Sequence, residues 1–169
     1  MERHVLSILV ENHPGVLARI SGLFSRRGYN IDSLSVGETE APSLSRITVA
    51  VMGDSNIIEQ IRKQVEKLVD VQEVIVLAPS ESVYRELTLI KVRAGAKVRP
   101  EIVGIVEIFR ANIIDVANES MTVEMTGDQD KISAFVELMT PYGVIEIVRT
   151  GLTAIQRGNV ALKEHEMVW

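Results

Sequence analysis

The sequence predicts an α+β fold, two tandem ferredoxin-like units of order β-α-β-β-α-β with antiparallel sheets, on three observations. That order of strand-type and helix-type segments occurs twice in the 169 residues. The interval from His4 to Asn30 equals the interval from Glu86 to Asn112. The local texts echo as well, Tyr29-Asn30-Ile31 against Ala111-Asn112-Ile113. The expected partition is 1–78 for the first unit, a link at 79–83, and 84–169 for the second unit with its tail. A core of about 80 residues is marginal alone, so packing between the halves or dimerisation is expected to add stability.

Residues 5–10 are almost wholly apolar, as in a strand buried on at least one face. After Pro14 and Gly15, the residues Val16, Leu17, Ile20, Leu23, Phe24 and Arg27 recur at helical spacing. Gly28 then stands where a helix end needs positive φ. Residues 30–36 and 46–52 read as strands joined by the polar loop 37–45, which contains Pro42. Asp54, Ser55 and Asn56 offer caps for a second helix with the stripe Ile57, Ile61, Val65 and Leu68. Residues 71–77 close the unit. After the polar link 78–82, residues 86–92 read as a strand, and Pro100 opens a helix with Ile102, Val103, Val106 and Phe109 inside. Residues 112–116 and 121–126 form a tighter hairpin. Asp128 or Asp130 caps a helix burying Ile132, Phe135, Val136 and Met139, and 144–148 is the last strand. The tail 150–169 is polar with an apolar end, Met167-Val168-Trp169.

Composition narrows the function. Hydrophobic residues at 46% suffice for a packed interior, and charged residues at 24% are ordinary for a globular chain. A net charge of −5 and only seven aromatics (one Trp, three Tyr, three Phe) argue against nucleic acid. The absence of cysteine excludes disulfides, thiolate catalysis and Cys-ligated metals. No apolar run approaches the roughly 20 residues that span a bilayer, and the start of the chain lacks the apolar segment of a signal peptide. A soluble, cytoplasmic protein without membrane contact is expected.

The sharpest binding candidate is Glu11-Asn12-His13-Pro14-Gly15-Val16-Leu17. Proline has helical φ and no N–H to satisfy, so Pro14 is expected at the first helical position with His13 as N-cap. The N–H groups of Gly15, Val16 and Leu17 then lie at the positive end of the helix, a place for a small carboxylate. Gly15 has no Cβ to hold a ligand off the backbone. Asn12 both donates and accepts, so it can hold an ammonium or a carboxylate, and a free α-amino acid presents both. The same residues also suit a plain strand-to-helix turn, and Asn30 after Gly28 suits local backbone satisfaction. Spacing alone leaves both readings open.

The run Leu9-Val10-Glu11-Asn12-His13-Pro14-Gly15-Val16-Leu17-Ala18-Arg19, followed by Gly22-Leu23-Phe24-Ser25-Arg26-Arg27-Gly28-Tyr29-Asn30-Ile31, resembles an ACT domain. More narrowly, it resembles the small regulatory subunits of acetolactate synthase. So do Leu44-Ser45-Arg46, Leu68-Val69-Asp70-Val71, the stretch 107–116 and Arg149-Thr150-Gly151. The resemblance covers nearly the whole chain. It implies that the first unit is an ACT domain binding valine, or another branched-chain amino acid, between two subunits of a homodimer. Carried onto this chain, the effector residues are Asn12, His13, Pro14, Gly15, Val16 and Leu17, with Asn30 and Ile31 from the facing subunit. Val16, Leu17 and Ile31 would supply the apolar wall.

The resemblance further implies a large catalytic partner carrying thiamine diphosphate, magnesium and FAD, and condensing pyruvate to acetolactate or, with 2-oxobutyrate, to acetohydroxybutyrate. The small subunit would raise its activity and confer feedback inhibition, with no cofactor, metal or catalytic residue of its own. Pro100 starts its helix without a matching Asn-x-Pro-Gly, so the first unit is expected to sense and the second to dock. Rival readings are an enzyme, an ACT-type regulator of transcription or of another enzyme, and a purely structural assembly protein. Against the first, His4, His13 and His165 are scattered, with no metal-ligand spacing and no nucleophile or phosphate motif. Glu38, Glu40, Glu81, Glu86 and Arg26-Arg27 are expected as solvated surface. Arg93, Lys97 and Arg99, around a glycine-containing loop, are candidates for meeting an acidic partner.

Overall fold

A computed structural model describes residues 2–162. In the first unit the elements are β1 (Glu2–Glu11), α1 (Val16–Arg27), β2 (Ile31–Glu38), β3 (Leu44–Gly53), α2 (Ser55–Val65) and β4 (Val71–Leu77). Their sheet has the order β2-β3-β1-β4, with β1 antiparallel to both neighbours. Leu6, Ile8 and Val10 of β1 share one face with Ile47, Val49 and Val51 of β3, and that face packs on Ile20, Leu23 and Phe24 of α1 and Ile58, Ile61 and Val65 of α2. Of the expected α2 stripe, Ile61 and Val65 are buried, Ile58 takes the inner place over Ile57, and Leu68 packs beyond the helix end.

A sheet bare on one face alternates apolar and polar residues, whereas β1 is buried at every position from Val5 to Val10. The reason is a second layer. Val5, Ser7, Leu9, Thr48 and Ala50 point away from the helices and are still buried. The chain returns to cover them: the Leu152 N–H donates to Ser33 Oγ (2.6 Å), β9 (Thr153–Gln156) runs near β1 and β4, and Leu162 packs with Leu9 and Leu44.

The second unit contains β5 (Ser82–Arg93), α3 (Arg99–Ile108), β6 (Asn112–Val116), β7 (Ser120–Gly127), α4 (Gln129–Met139) and β8 (Val144–Arg149). Its sheet order is β6-β7-β5-β8. Ile90, Val92, Met121, Val123 and Met125 pack against Ile102, Val106, Ile132, Phe135 and Met139. The duplication holds in detail. Asp54 and Asp128 each accept the N–H three residues on, at 2.9 Å. Both first helices end on a left-handed residue, Gly28 (φ 71°) and Arg110 (φ 53°), followed by matching bonds from Tyr29 N–H to Phe24 and from Ala111 N–H to Val106.

Three expectations need correction. The chain divides into residues up to Val83 together with those from Leu152, and Tyr84–Gly151, so the second unit does not run on through 152–162. Leu152 and Ala154 are buried, β9 lies near β1 and β4, and Leu162 packs with Leu9 and Leu44 of the first unit. The link 79–83 is not a free polar connector: Pro79–Glu81 is a short 3-10 helix and β5 begins at Ser82. Glu86 is buried rather than solvated, because it lies on the inner strand β5 opposite Gly127. The apolar end Met167-Val168-Trp169 and His165 lie outside the described residues.

Leu162→Ala is expected to cost about 2 kcal/mol or more in urea unfolding, as a buried leucine truncation does. A loss within about 0.5 kcal/mol, typical of surface positions, would mean that this segment does not cover the first sheet.

Candidate functional site

The reversal from β1 to α1 occupies residues 12–15. Gly15 has φ 91° and ψ −13°, a left-handed conformation that glycine adopts freely. That geometry lies outside the helical basin, so the helix begins at Val16, and the expected start at Pro14 with His13 as N-cap is corrected. The first intrahelical bond runs from Arg19 N–H to the Gly15 carbonyl (3.0 Å). The amides preceding it, those of Gly15, Val16, Leu17 and, one residue further than expected, Ala18, are the helix's open donors. Nothing lies within 4 Å of where a Cβ on Gly15 would stand, so the backbone there is approachable.

The turn is fastened on one side by Asn12. Its N–H donates to Ser43 O (2.8 Å), and its Nδ2 donates to Glu38 Oε1 (3.0 Å) and Pro42 O (2.8 Å). Both amide hydrogens are therefore engaged within the chain. What Asn12 offers a ligand is its Oδ1, an acceptor suited to an ammonium. On the other side stands Asp70, whose side chain is 9% exposed. Its Oδ1 lies 2.8 Å from His13 Nε2, its Oδ2 accepts from Arg19, and its backbone carbonyl accepts the Glu11 N–H (2.8 Å). His13 Nδ1 is 3.1 Å from Pro14 O, so both ring nitrogens face acceptors and a neutral imidazole donates to only one of them at a time.

Leu17 is 41% exposed, whereas the Val16 side chain lies in the core, so Val16 offers a ligand its amide rather than an apolar wall. Asn30 and Ile31 follow the far end of α1, whose 12 residues span about 18 Å at the helical rise. One chain does not bring them to the turn. Asn30 Nδ2 donates to Asp32 Oδ1 (2.9 Å), and Ile31 packs partly against the core. Sequence reasoning assigned no role to Asp70 or Arg19, and it took Glu38 as solvated surface, where the structure has it accepting from Asn12 Nδ2. The signal for Asp70 was a lone carboxylate between Leu68-Val69 and the apolar strand β4.

The corresponding place in the second unit is closed. Arg99 N–H bonds to the Gly95 carbonyl, Pro100 has no N–H, and Glu101 N–H bonds to the Val98 carbonyl. The Arg99 guanidinium donates to the carbonyls of Ala94, Ala117 and Asn118. Arg99 is thus consumed by its own loop rather than offered to an acidic partner. The groups with shifted titration lie elsewhere: Arg62 holds Glu59 down to about 2 on α2, and the hydrogen bond to Glu101 raises the Tyr142 hydroxyl. Among the described residues, no group of three or more His, Cys, Asp or Glu is placed to hold a metal, and no helix is long and apolar enough to cross a membrane.

Two antiparallel α+β units, the first opening on this strand–turn–helix, define an ACT-domain protein. Residues 6–73 match the family model described as AHAS small subunit-like ACT domain, and residues 85–158 match that described as small subunit of acetolactate synthase. A probable acetolactate synthase small subunit of Archaeoglobus fulgidus is 52% identical over 93% of this chain and 98% of its own. The acetolactate synthase small subunit of Mycobacterium leprae is 50% identical over 92% of each chain. The crystal structure of the acetolactate synthase small subunit from Thermotoga maritima superposes with a TM-score of 0.87 at 47% identity, covering 95% of this chain and 100% of that one. The chain belongs to the acetolactate synthase small-subunit family.

Gly15→Ala is expected to destabilise the chain by about 1–2 kcal/mol, the penalty of a left-handed Cβ, although the space around it is open. Gly104→Ala in α3, also in open space but in helical geometry, is expected to stabilise by about 0.5–1 kcal/mol. Urea melts of both variants check the pair, and stabilisation by both would contradict the left-handed turn.

Proposed function

We propose that this chain is the regulatory subunit of a cytoplasmic acetolactate synthase, activating its large catalytic subunit and conferring feedback inhibition by valine or another branched-chain amino acid. The observation that carries the reading is the contrast between the two helix starts. The amides at α1 are open beside the acceptor of Asn12, whereas those of α3 are closed by Pro100 and by bonds within the loop. The effector carboxylate sits on the amides of Gly15, Val16 and Leu17, with the helix dipole behind them. Its ammonium meets Asn12 Oδ1. His13 and Pro14 shape the turn, and the side chain of Leu17 faces the effector's apolar group.

Asn30 and Ile31 complete the site from a second copy, because the length of α1 separates them from the turn in one chain. The functional unit is therefore a homodimer, in which the first unit (1–78) senses and the second docks on the catalytic subunit. Thiamine diphosphate, magnesium and FAD belong to that partner, and this chain carries no catalysis of its own. Feedback requires that the effector favour one state of the complex. A coupling of about 1–3 kcal/mol gives a several-fold to hundredfold effect. A site shared by two subunits suits this, since a small shift there changes how rigid bodies meet.

The test is titration of the chain with valine, isoleucine and leucine, followed by reconstitution with its catalytic subunit. Valine at a hundredfold excess over Kd is expected to stabilise the chain by about 2.7 kcal/mol. Gly15→Asn and Gly15→Asp both tolerate left-handed geometry better than other residues, and they differ in charge. The aspartate is expected to abolish valine inhibition through like-charge repulsion while activation survives, and the asparagine to weaken it less. Full inhibition retained in the Gly15→Asp complex would place the effector elsewhere.

A further inference from the structure

We infer that Asp70 is the positioning residue of the effector turn, fixing the chain before, within and after it so that the α1 amides and Asn12 form one rigid cradle; this rests on the reading of that turn as the effector site. Asp70 precedes β4, far from the turn in sequence, yet it bonds to three successive parts of it. Its carbonyl takes the N–H of Glu11, the last residue of β1, beyond the point where the pairing of β1 with β4 shifts register between Leu9 and Val10. One carboxylate oxygen faces His13 inside the turn, and the other accepts from Arg19 on the first turn of α1. Gly15, the residue free to rotate, lies between these last two tethers.

The exposures decide between positioning and simple stabilisation. The carboxylate is 9% exposed, while the His13 and Arg19 side chains are 45% and 55% exposed. Freed from Asp70, both recover water, so the loss falls less on folding than on the geometry of the turn. Asp70→Asn keeps the size and one acceptor but places an NH2 against a donor, releasing one tether. A cradle that must match both ends of a small amino acid loses affinity when its parts shift by a fraction of an ångström.

The experiment measures valine affinity by calorimetry and unliganded Tm on the full chain for wild type, Asp70→Asn, Arg19→Gln, His13→Ala and His13→Gln. A hydrogen bond to a charged group is strong enough that Asp70→Asn should raise the valine Kd by about tenfold or more. Its Tm should fall by only a few degrees. His13→Ala should weaken binding, and His13→Gln, which keeps a donor able to reach Asp70, should recover most of it. Arg19→Gln and His13→Ala alter exposed residues and carry the test if Asp70→Asn fails to fold. Wild-type Kd in all the variants, or a fall in Tm without a change in Kd, would overturn the positioning role. Failure of the wild type to bind any of the three branched-chain amino acids would instead overturn the effector-site reading.

Discussion

The inner strand β1 must turn into α1 within four residues, and the architecture of the first unit follows from that constraint. β1 is hydrogen-bonded on both edges and buried on both faces, so its end cannot drift. The helix that follows has to lie back across the same sheet to bury Ile20, Leu23 and Phe24. A reversal this tight needs one residue outside ordinary φ, and Gly15 supplies it. It also needs anchors, because a loop held at its ends alone would be free to rotate at the glycine. Ser43 and Pro42 hold one side, and Asp70 holds the other.

The same constraint produces the chemistry. A left-handed residue at the cap leaves the first amides of α1 without side-chain or backbone acceptors, which in a buried position would be costly. Here Gly15, Leu17 and Ala18 are exposed while Val16 is buried, and the turn carries an asparagine whose donors are already spent. Open N–H groups are donors of the kind a carboxylate takes, and an open carbonyl-type oxygen is an acceptor of the kind an ammonium takes. The second unit repeats the fold but resolves its turn differently, with a proline in place of a donor and an arginine closing the loop. Duplication has kept the Asp54 and Asp128 caps and the left-handed helix ends while the two turns differ in chemistry.

Much of this was legible in the sequence because it rests on local rules. The eight strands and four helices of the duplicated order follow hydrophobic period and punctuation, and the caps at Asp54 and Asp128 follow residue chemistry. Asn12 and Gly15 were visible for the same reason. The return of the chain across the first sheet was not, since Leu152, Ala154 and Leu162 are sparse apolar residues in a polar tail. Only the unbroken burial of β1 hinted that a second layer existed. Asp70 was hidden too, because its partners lie more than fifty positions away. The helix start was misplaced by two residues, since proline's preference for the first helical position gave way to the left-handed geometry at Gly15.

In the proposed function one turn, and not its duplicate, receives the effector. Backbone amide shifts of the labelled full chain, followed by NMR during titration with valine, test it most directly. Saturable shifts are expected at residues 12–18 and at Asn30 and Ile31, with residues 94–102 unmoved. Shifts centred on 94–102, or saturable binding that leaves 12–18 unmoved, would contradict it.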